Sequence, residues 1–271
     1  MEAAPAAVAE GGYWFSKNPS KAWGEKFFLC YFPFFFGLNA AKQVFHLLDV
    51  GTFWHVAQNV AMLVPLYLCP ALFRDETPLG RRWYQTYWFK MNLWIYVFAF
   101  AGTYFFTEYF FDVLGMVYSF PRVTLYFDAA LLGSGQQRVP LGMYFNAAAF
   151  FVVYHTVAIV LMRRVRTSRY GFGTLGAVVT TAAAAYFFAW AETFLIARDA
   201  NSANFYYRDL PFMLKYGSLF YGSFFIVSFP MLYRLDEKPD ECWSVGRTLT
   251  ESLAASMIVF FLLDLQTHLF R

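Results

Sequence analysis

The chain has 271 residues, of which 59% are hydrophobic, 23% aromatic and only 14% charged, against roughly a quarter charged in an ordinary soluble domain. Too little polar surface remains to cover a globule in water, which excludes an ordinary soluble enzyme and makes lipid the solvent. The 21 Lys and Arg against 18 Asp and Glu leave a net charge of +3, carried in short loops rather than one stripe, so no nucleic-acid partner is expected.

Residues 1–24 contain an Ala/Gly-rich stretch with Glu2 and Glu10 and no apolar core. They read as a disordered or interfacial tail rather than a leader peptide, followed by one transmembrane helical domain over 25–271. A membrane-spanning helix takes about 20 mostly apolar residues. Seven stretches qualify: about 26–48, 52–73, 90–113, 141–162, 174–197, 213–234 and 246–269. The expected fold is therefore all-α, a polytopic bundle of about seven spans. Lys42, His46, His55, Gln58 and Asn59 make the first two spans the most polar, so these could also pack as a helical hairpin inside the protein. Pro33, Pro65 and Pro230 predict kinks that neighbouring helices can accommodate. The N-terminal tail and alternate loops hold fourteen Lys and Arg against six on the opposite side, which places the N-terminus in the cytosol. The longest stretch outside lipid, about 114–140, is too short for a separate catalytic domain.

Cys30, Cys69 and Cys242 are scattered and suggest neither a disulfide framework nor a metal knuckle. Gly171-Phe172-Gly173-Thr174-Leu175-Gly176 fits G-x-G-x-x-G, but it follows an Arg-rich loop and opens a span instead of sitting in a βαβ unit, so it reads as a flexible loop. The mixed-sign run from Arg234 to Glu241 reads as a solvated turn.

Ionisable residues inside spans are the informative ones, because a charge at bilayer depth is costly. Glu108, Glu192 and Asp264 each lie about eighteen residues beyond the start of their spans, which at 1.5 Å per residue is about 27 Å of travel. His55 joins this layer, and His155 sits nearer the middle of the fourth span. Glu192, among Tyr186, Phe187, Phe188 and Trp190, reads as a carboxyl in an aromatic pocket, protonated and able to donate its proton; a hydrogen bond to a neighbouring helix is the structural alternative. Asp264 shares a helix face with Met257, Phe260, Phe261 and His268 and is expected to point inward. Glu108, beside Tyr104 and Asp112 near a helix end, reads as snorkelling to the interface. His155 fits either a satisfied core histidine or a proton relay.

Long segments of the chain resemble one family. They include Asn18-Pro19-Ser20-Lys21-Ala22-Trp23-Gly24-Glu25, Tyr87-Trp88-Phe89-Lys90-Met91-Asn92-Leu93-Trp94-Ile95, Tyr109-Phe110-Phe111-Asp112-Val113-Leu114-Gly115 and Tyr118-Ser119-Phe120-Pro121. Tyr154-His155, Ala191-Glu192-Thr193, Phe225-Ile226-Val227-Ser228-Phe229-Pro230, Asp236-Glu237-Lys238 and Leu263-Asp264-Leu265 extend the match. In these words the chain resembles the cycloeucalenol cycloisomerases, membrane enzymes that open the cyclopropane ring of 9,19-cyclosterols. The resemblance implies conversion of cycloeucalenol to obtusifoliol in the endoplasmic reticulum membrane, with a sterol substrate drawn from the bilayer and no cofactor. It carries over His155, Glu192, Asp236, Glu237 and Asp264. Ring opening needs only proton transfer, so Glu192 is the expected acid, with Asp264 as second choice, and His155 or the other carboxylate the base. Tyr154, Tyr221 or Asn92 would orient them, and aromatic side chains such as Phe188 and Trp190 would shelter the cation. The alternative is a non-catalytic lipid-binding protein or accessory subunit of a membrane complex.

Overall fold

The computed structural model describes residues 12–73, 81–170, 173–197 and 203–270. Residues 1–11 of the expected tail, and Gly171 and Phe172 of the glycine motif, lie outside these. Among the described residues the fold is an all-α bundle: α1 (Pro19–Val44), α2 (Thr52–Phe73), α3 (Tyr87–Ala101), α4 (Thr107–Asp112), α5 (Gly142–Arg166), α6 (Gly173–Ile196), α7 (Leu210–Phe212), α8 (Ser218–Tyr233) and α9 (Val245–Phe270). A π-helical turn, Gly102–Phe106, joins α3 to α4 as one rod, and another, Met213–Gly217, joins α7 to α8. Two short strands, β1 (Met116–Tyr118) and β2 (Phe205–Tyr207), pair antiparallel with Met116 opposite Tyr207.

The seven rods follow the seven expected stretches closely. Five are long and apolar enough to cross a membrane: α2, α5, α6, the α7–α8 rod and α9. Of the other two, α1 carries Lys21, Glu25, Lys26 and Lys42, and the α3–α4 rod is broken by its π turn. The first rod also starts within the stretch read as a tail. Asn18 caps it by accepting from the Lys21 amide at 3.4 Å, and Pro19 opens it, a position where proline costs no hydrogen bond. Residues before the helix are anchored too, since the Asn18 amide donates to the carbonyls of Lys238 and Glu241 at 3.0 and 2.9 Å.

That anchoring belongs to a buried ionic cluster at one end of the bundle. The Arg163 guanidinium, at the end of α5, grips Glu25 of α1 in a fork at 2.6 and 2.8 Å and grips Glu237, in the turn after α8, at 2.8 Å through two nitrogens. Lys21 pairs with Glu237 at 2.8 Å and donates to the carbonyls of Tyr233 and Leu235. Lys90 pairs with Asp236 at 2.5 Å, and Asp236 accepts from the Trp243 amide at 2.7 Å. The run 234–241 is therefore a solvated turn only in part: Arg234, Lys238, Pro239 and Asp240 are exposed, whereas Asp236 and Glu237 are bound into the cluster. Asp236 is fully buried and takes a left-handed conformation, φ 49°, which aspartate tolerates better than most residues. Its cation comes from another helix, α3, so nothing local in the sequence marks the burial.

Elsewhere the helices are held by packing of small residues. Thr181, Ala185, Ala189 and Thr193, four apart on α6, are buried, and Gly222 of α8 lies close against the Ala185 backbone. In lipid, close approach of small residues replaces the hydrophobic drive between helices. On α9 the buried face is Ser252, Ala255, Ser256, Val259 and Leu263, whereas Met257, Phe261 and Leu265 are outside, 54, 60 and 63% exposed. Asn92 of α3 donates to the Leu66 carbonyl at 3.2 Å; Pro70 has no N–H for that carbonyl, so Asn92 fills the vacancy the proline leaves.

Replacing Arg163 with Met leaves the buried Glu25 without its ion-pair partner and Glu237 with Lys21 alone, and should lower stability by about 3–5 kcal/mol. Thermal unfolding in detergent measures it, and Lys at 163 should recover only part, because an ammonium cannot fork to both carboxylates. Burial alone would raise the Glu237 carboxyl, but Arg163 and Lys21 hold it below its ordinary value. The stability this pairing adds is present above the ordinary carboxylate range and is lost as pH falls through the lowered value. Acidification should therefore lower the melting temperature of the wild type more than that of Arg163→Met.

Candidate active site

At the end of the bundle away from the ionic cluster lies a cavity of about 360 Å³, within the size range of small-molecule sites. Its walls come from α1, α2, the π turn after α3, α4, α5, α6 and α8, and the β1–β2 pair contributes Met116, Tyr118, Phe205 and Tyr207. Phe110, Phe150, Phe151 and Phe224 make much of the lining apolar. Gly102 lets this wall pack tightly, since a Cβ there would stand 3.3 Å from the Phe224 ring and the ring would have to give. The π turn that holds Gly102 and Thr103 widens the rod beside the cavity, a frequent feature of functional sites.

Glu192 lies in this wall, in the last turns of α6. The Tyr221 hydroxyl, from the start of α8, donates to its Oε2 at 2.6 Å, and the Tyr154 hydroxyl of α5 also bonds to the carboxyl. Phe110, Phe224 and Phe225 each sit 5.1 Å from the Tyr221 ring, centroid to centroid, and fix the phenol. The result is a carboxyl facing an apolar cavity, oriented by two phenols from two helices.

The other expected site residues lie elsewhere. His155 is fully buried in the aromatic core, with Nδ1 2.7 Å from the Phe151 carbonyl and Nε2 2.8 Å from the Ser228 hydroxyl. The carbonyl can only accept, so Nδ1 carries the hydrogen, the serine donates to Nε2, and both nitrogens are occupied. His155 is not among the cavity-lining residues. Asp264 does not point inward: it is exposed on the outer face of α9 and accepts from the Tyr109 hydroxyl at 3.0 Å. The stripe of Met257 and Phe261 that suggested an inward face is the lipid-facing one, because in a membrane bulky apolar residues face outward and small ones pack. Asn92 spends both amide hydrogens on the Leu66 and Trp88 carbonyls. Trp190 stacks on Phe194 at 5.0 Å, and Phe188 packs among Tyr154, Phe225 and Phe229, neither lining the cavity. Glu108 is buried rather than snorkelling, packed against the backbone of Gly133, which takes φ +88°; Asp112 beside it accepts from the Ser134 amide and hydroxyl.

Lys42, His55, Asn59 and Asn146 line the same cavity, and so do Tyr118 and Tyr207. The polarity of the first two spans marked Lys42, His55 and Asn59 in the sequence, but only the fold joins them to Asn146 and Glu192. Among the described residues no three His, Cys, Asp or Glu side chains converge as metal ligands would.

No family model matches the chain, and no solved structure matches it. It is 36% identical over 258 residues to the cycloeucalenol cycloisomerase of Arabidopsis thaliana, covering 93% of this chain and 87% of that protein. Identity at this level over nearly the whole of both chains shows descent with the same fold, and the chain belongs to the cycloeucalenol cycloisomerase family.

Proposed function

We propose that this protein opens the 9,19-cyclopropane ring of a cyclosterol, cycloeucalenol giving obtusifoliol, by proton transfer inside the cavity beside Glu192. The observation that carries this reading is the Glu192 carboxyl, held by Tyr221 and Tyr154 in the wall of an aromatic cavity, in a chain of this family. The substrate is almost entirely hydrocarbon and dissolves in the bilayer, so a cavity between membrane helices can take it directly from lipid.

The protonated Glu192 carboxyl delivers its proton to the cyclopropane methylene. A new C–H bond forms from the electrons of the ring bond that breaks, the methylene becomes a methyl group, and a cation is left on the ring carbon. The ring faces of Phe110, Phe151 and Phe224 stabilise that charge. Loss of a proton from the adjacent ring carbon then supplies the electrons of the new double bond. With His155 locked in the core and Asp264 on the outer face, the carboxylate left at Glu192 takes that proton, acting first as acid and then as base. Nothing is oxidised or reduced, and the enzyme ends the cycle in the state in which it began. Tyr221 and Tyr154 hold the carboxyl on the reacting bond through both transfers.

The excess of basic residues at the ionic-cluster end supports a cytosolic position for that end, with the cavity toward the opposite face of the endoplasmic reticulum membrane.

Purified protein in lipid nanodiscs, supplied with cycloeucalenol alone, should yield obtusifoliol by mass spectrometry. Glu192→Gln should fold and lose turnover by about 10²–10⁴-fold, the usual contribution of a general acid. Tyr221→Phe, which loses only the orienting hydrogen bond, should fall by about tenfold. Asp264→Asn should stay within about twofold of wild type. A folded Glu192→Gln enzyme with wild-type turnover overturns the assignment, and a folded wild type that leaves cyclosterols unchanged favours a lipid-binding or accessory role.

A further inference from the structure

The cavity has a second polar wall that ring opening does not use. Lys42 of α1 is 2% exposed, and among the described residues it forms no ion pair with a carboxylate. Its Nζ donates to Asn59 Oδ1 at 2.7 Å and approaches the Met62 sulfur at 3.0 Å. Asn146 of α5 donates to the same Asn59 oxygen at 3.1 Å, and Asn59 Nδ2 donates to the His55 carbonyl at 2.8 Å, so the Asn59 oxygen already has two donors. His55, one turn away on α2, is 1% exposed and lines the cavity, yet its Nδ1 is buried without a hydrogen-bond partner. Its ring is wedged edge-on against Phe120 at 5.1 Å and against Gly142, where a Cβ would stand 2.5 Å from Nδ1.

Both groups are expensive as they stand. A buried ammonium with one strong acceptor and a sulfur keeps an N–H to give, and a buried imidazole without a partner keeps a polar atom unsatisfied. Leucine and methionine at these positions would avoid both costs and suit lipid better. A donor and an acceptor in one cavity wall, with no carboxylate paired to either among the described residues, match a group that both accepts and donates one hydrogen bond, as an alcohol does. A carboxylate or phosphate would take Lys42 and leave His55 unserved; a ketone would accept from Lys42 and give nothing to the imidazole.

We propose that Lys42 and His55, braced by Asn59 and Asn146, form the site that binds the sterol hydroxyl, with Lys42 donating to its oxygen and the His55 imidazole accepting its hydrogen. The identity of the ligand rests on the isomerase reading above. Held at this wall, the alcohol end of the sterol fixes how the ring system lies against Glu192, and the pair selects free sterols over their ketones and esters.

The test compares three probes, cycloeucalenol, its 3-ketone and its 3-deoxy analogue, on wild type, His55→Leu, Lys42→Met and His55→Gln in nanodiscs. Binding is read from displacement of a radiolabelled sterol, and turnover is measured separately. The wild type should bind the alcohol about thirtyfold tighter than the deoxy compound, the worth of two net hydrogen bonds, with the ketone, which takes one, between. His55→Leu should weaken the alcohol alone and Lys42→Met the alcohol and the ketone, each seen as a raised KM and a reduced preference over the deoxy compound, and His55→Gln, which keeps an acceptor, should restore part of it. A wild type that binds all three probes equally, or folded variants that keep its preference, overturns the proposal. Should a variant fail to fold, the wild-type ranking and the remaining variant decide. Preference without any turnover sinks the isomerase reading and leaves the hydroxyl site standing; turnover without preference does the reverse.

Discussion

A single guanidinium fastens the start of the chain to its second half. Arg163 bonds Glu25 and Glu237 together, Lys21 joins Glu237, and Lys90 with Asp236 completes a group of three cations and three carboxylates with no net charge. Removing such charges from water is costly, and the pairing repays that cost only when each lone pair and proton finds a partner. Here the forked contacts to Glu25 and Glu237, the Tyr233 and Leu235 carbonyls and the Trp243 amide provide those partners. In a bilayer, where apolar faces gain little by meeting each other, such a directional lock sets which helices are neighbours.

Locking one end allows the other to stay open. Between the two lies a solid aromatic layer in which Phe98, Phe151, Phe224, Phe225 and Phe229 pack around His155, and that layer separates the ionic cluster from the cavity. Beyond it the rods loosen: two π turns interrupt α3–α4 and α7–α8, and the small β1–β2 pair closes over the space in place of a helix. The cavity therefore combines a dry aromatic wall with a few polar groups held in place by the scaffold. That combination suits a hydrocarbon substrate whose reaction passes through a cation: water would capture the intermediate, and a flexible acid would protonate at random.

The architecture was legible because membrane helices announce themselves by length and composition: the stretch 52–73 matches α2, and 174–197 differs from α6 by one residue at each end. Glu192 was legible for the same reason, as an acid set among aromatics at bilayer depth. Orientation around the helix axis was not. The stripe that appeared to turn Asp264 inward is the outer face of α9, since this helix packs through Ser252, Ala255, Ser256, Val259 and Leu263 and leaves Met257, Phe261 and Leu265 outside. Partnerships over long sequence distances were equally hidden. Asp236 and Glu237 look like a solvated turn until Lys90, Lys21 and Arg163 meet them; Asn92 looks like a binding residue until Pro70 is seen to leave a carbonyl for it. The β1–β2 pair, three residues in each strand, has no periodicity long enough to read.

The central claim is that Glu192 protonates a cyclopropane methylene inside the bundle, and isotopic labelling tests it most directly. Wild-type protein should be given cycloeucalenol in deuterated water, without any additive, and the obtusifoliol analysed by mass spectrometry and NMR. If a carboxyl that re-equilibrates with water between turnovers is the acid, each product molecule carries one deuterium, in the methyl group derived from the cyclopropane, and Glu192→Gln abolishes its appearance. Product formed without deuterium in that methyl group in a single turnover by enzyme first equilibrated in deuterated water, or labelled product formed as readily by the Gln variant, would contradict the account.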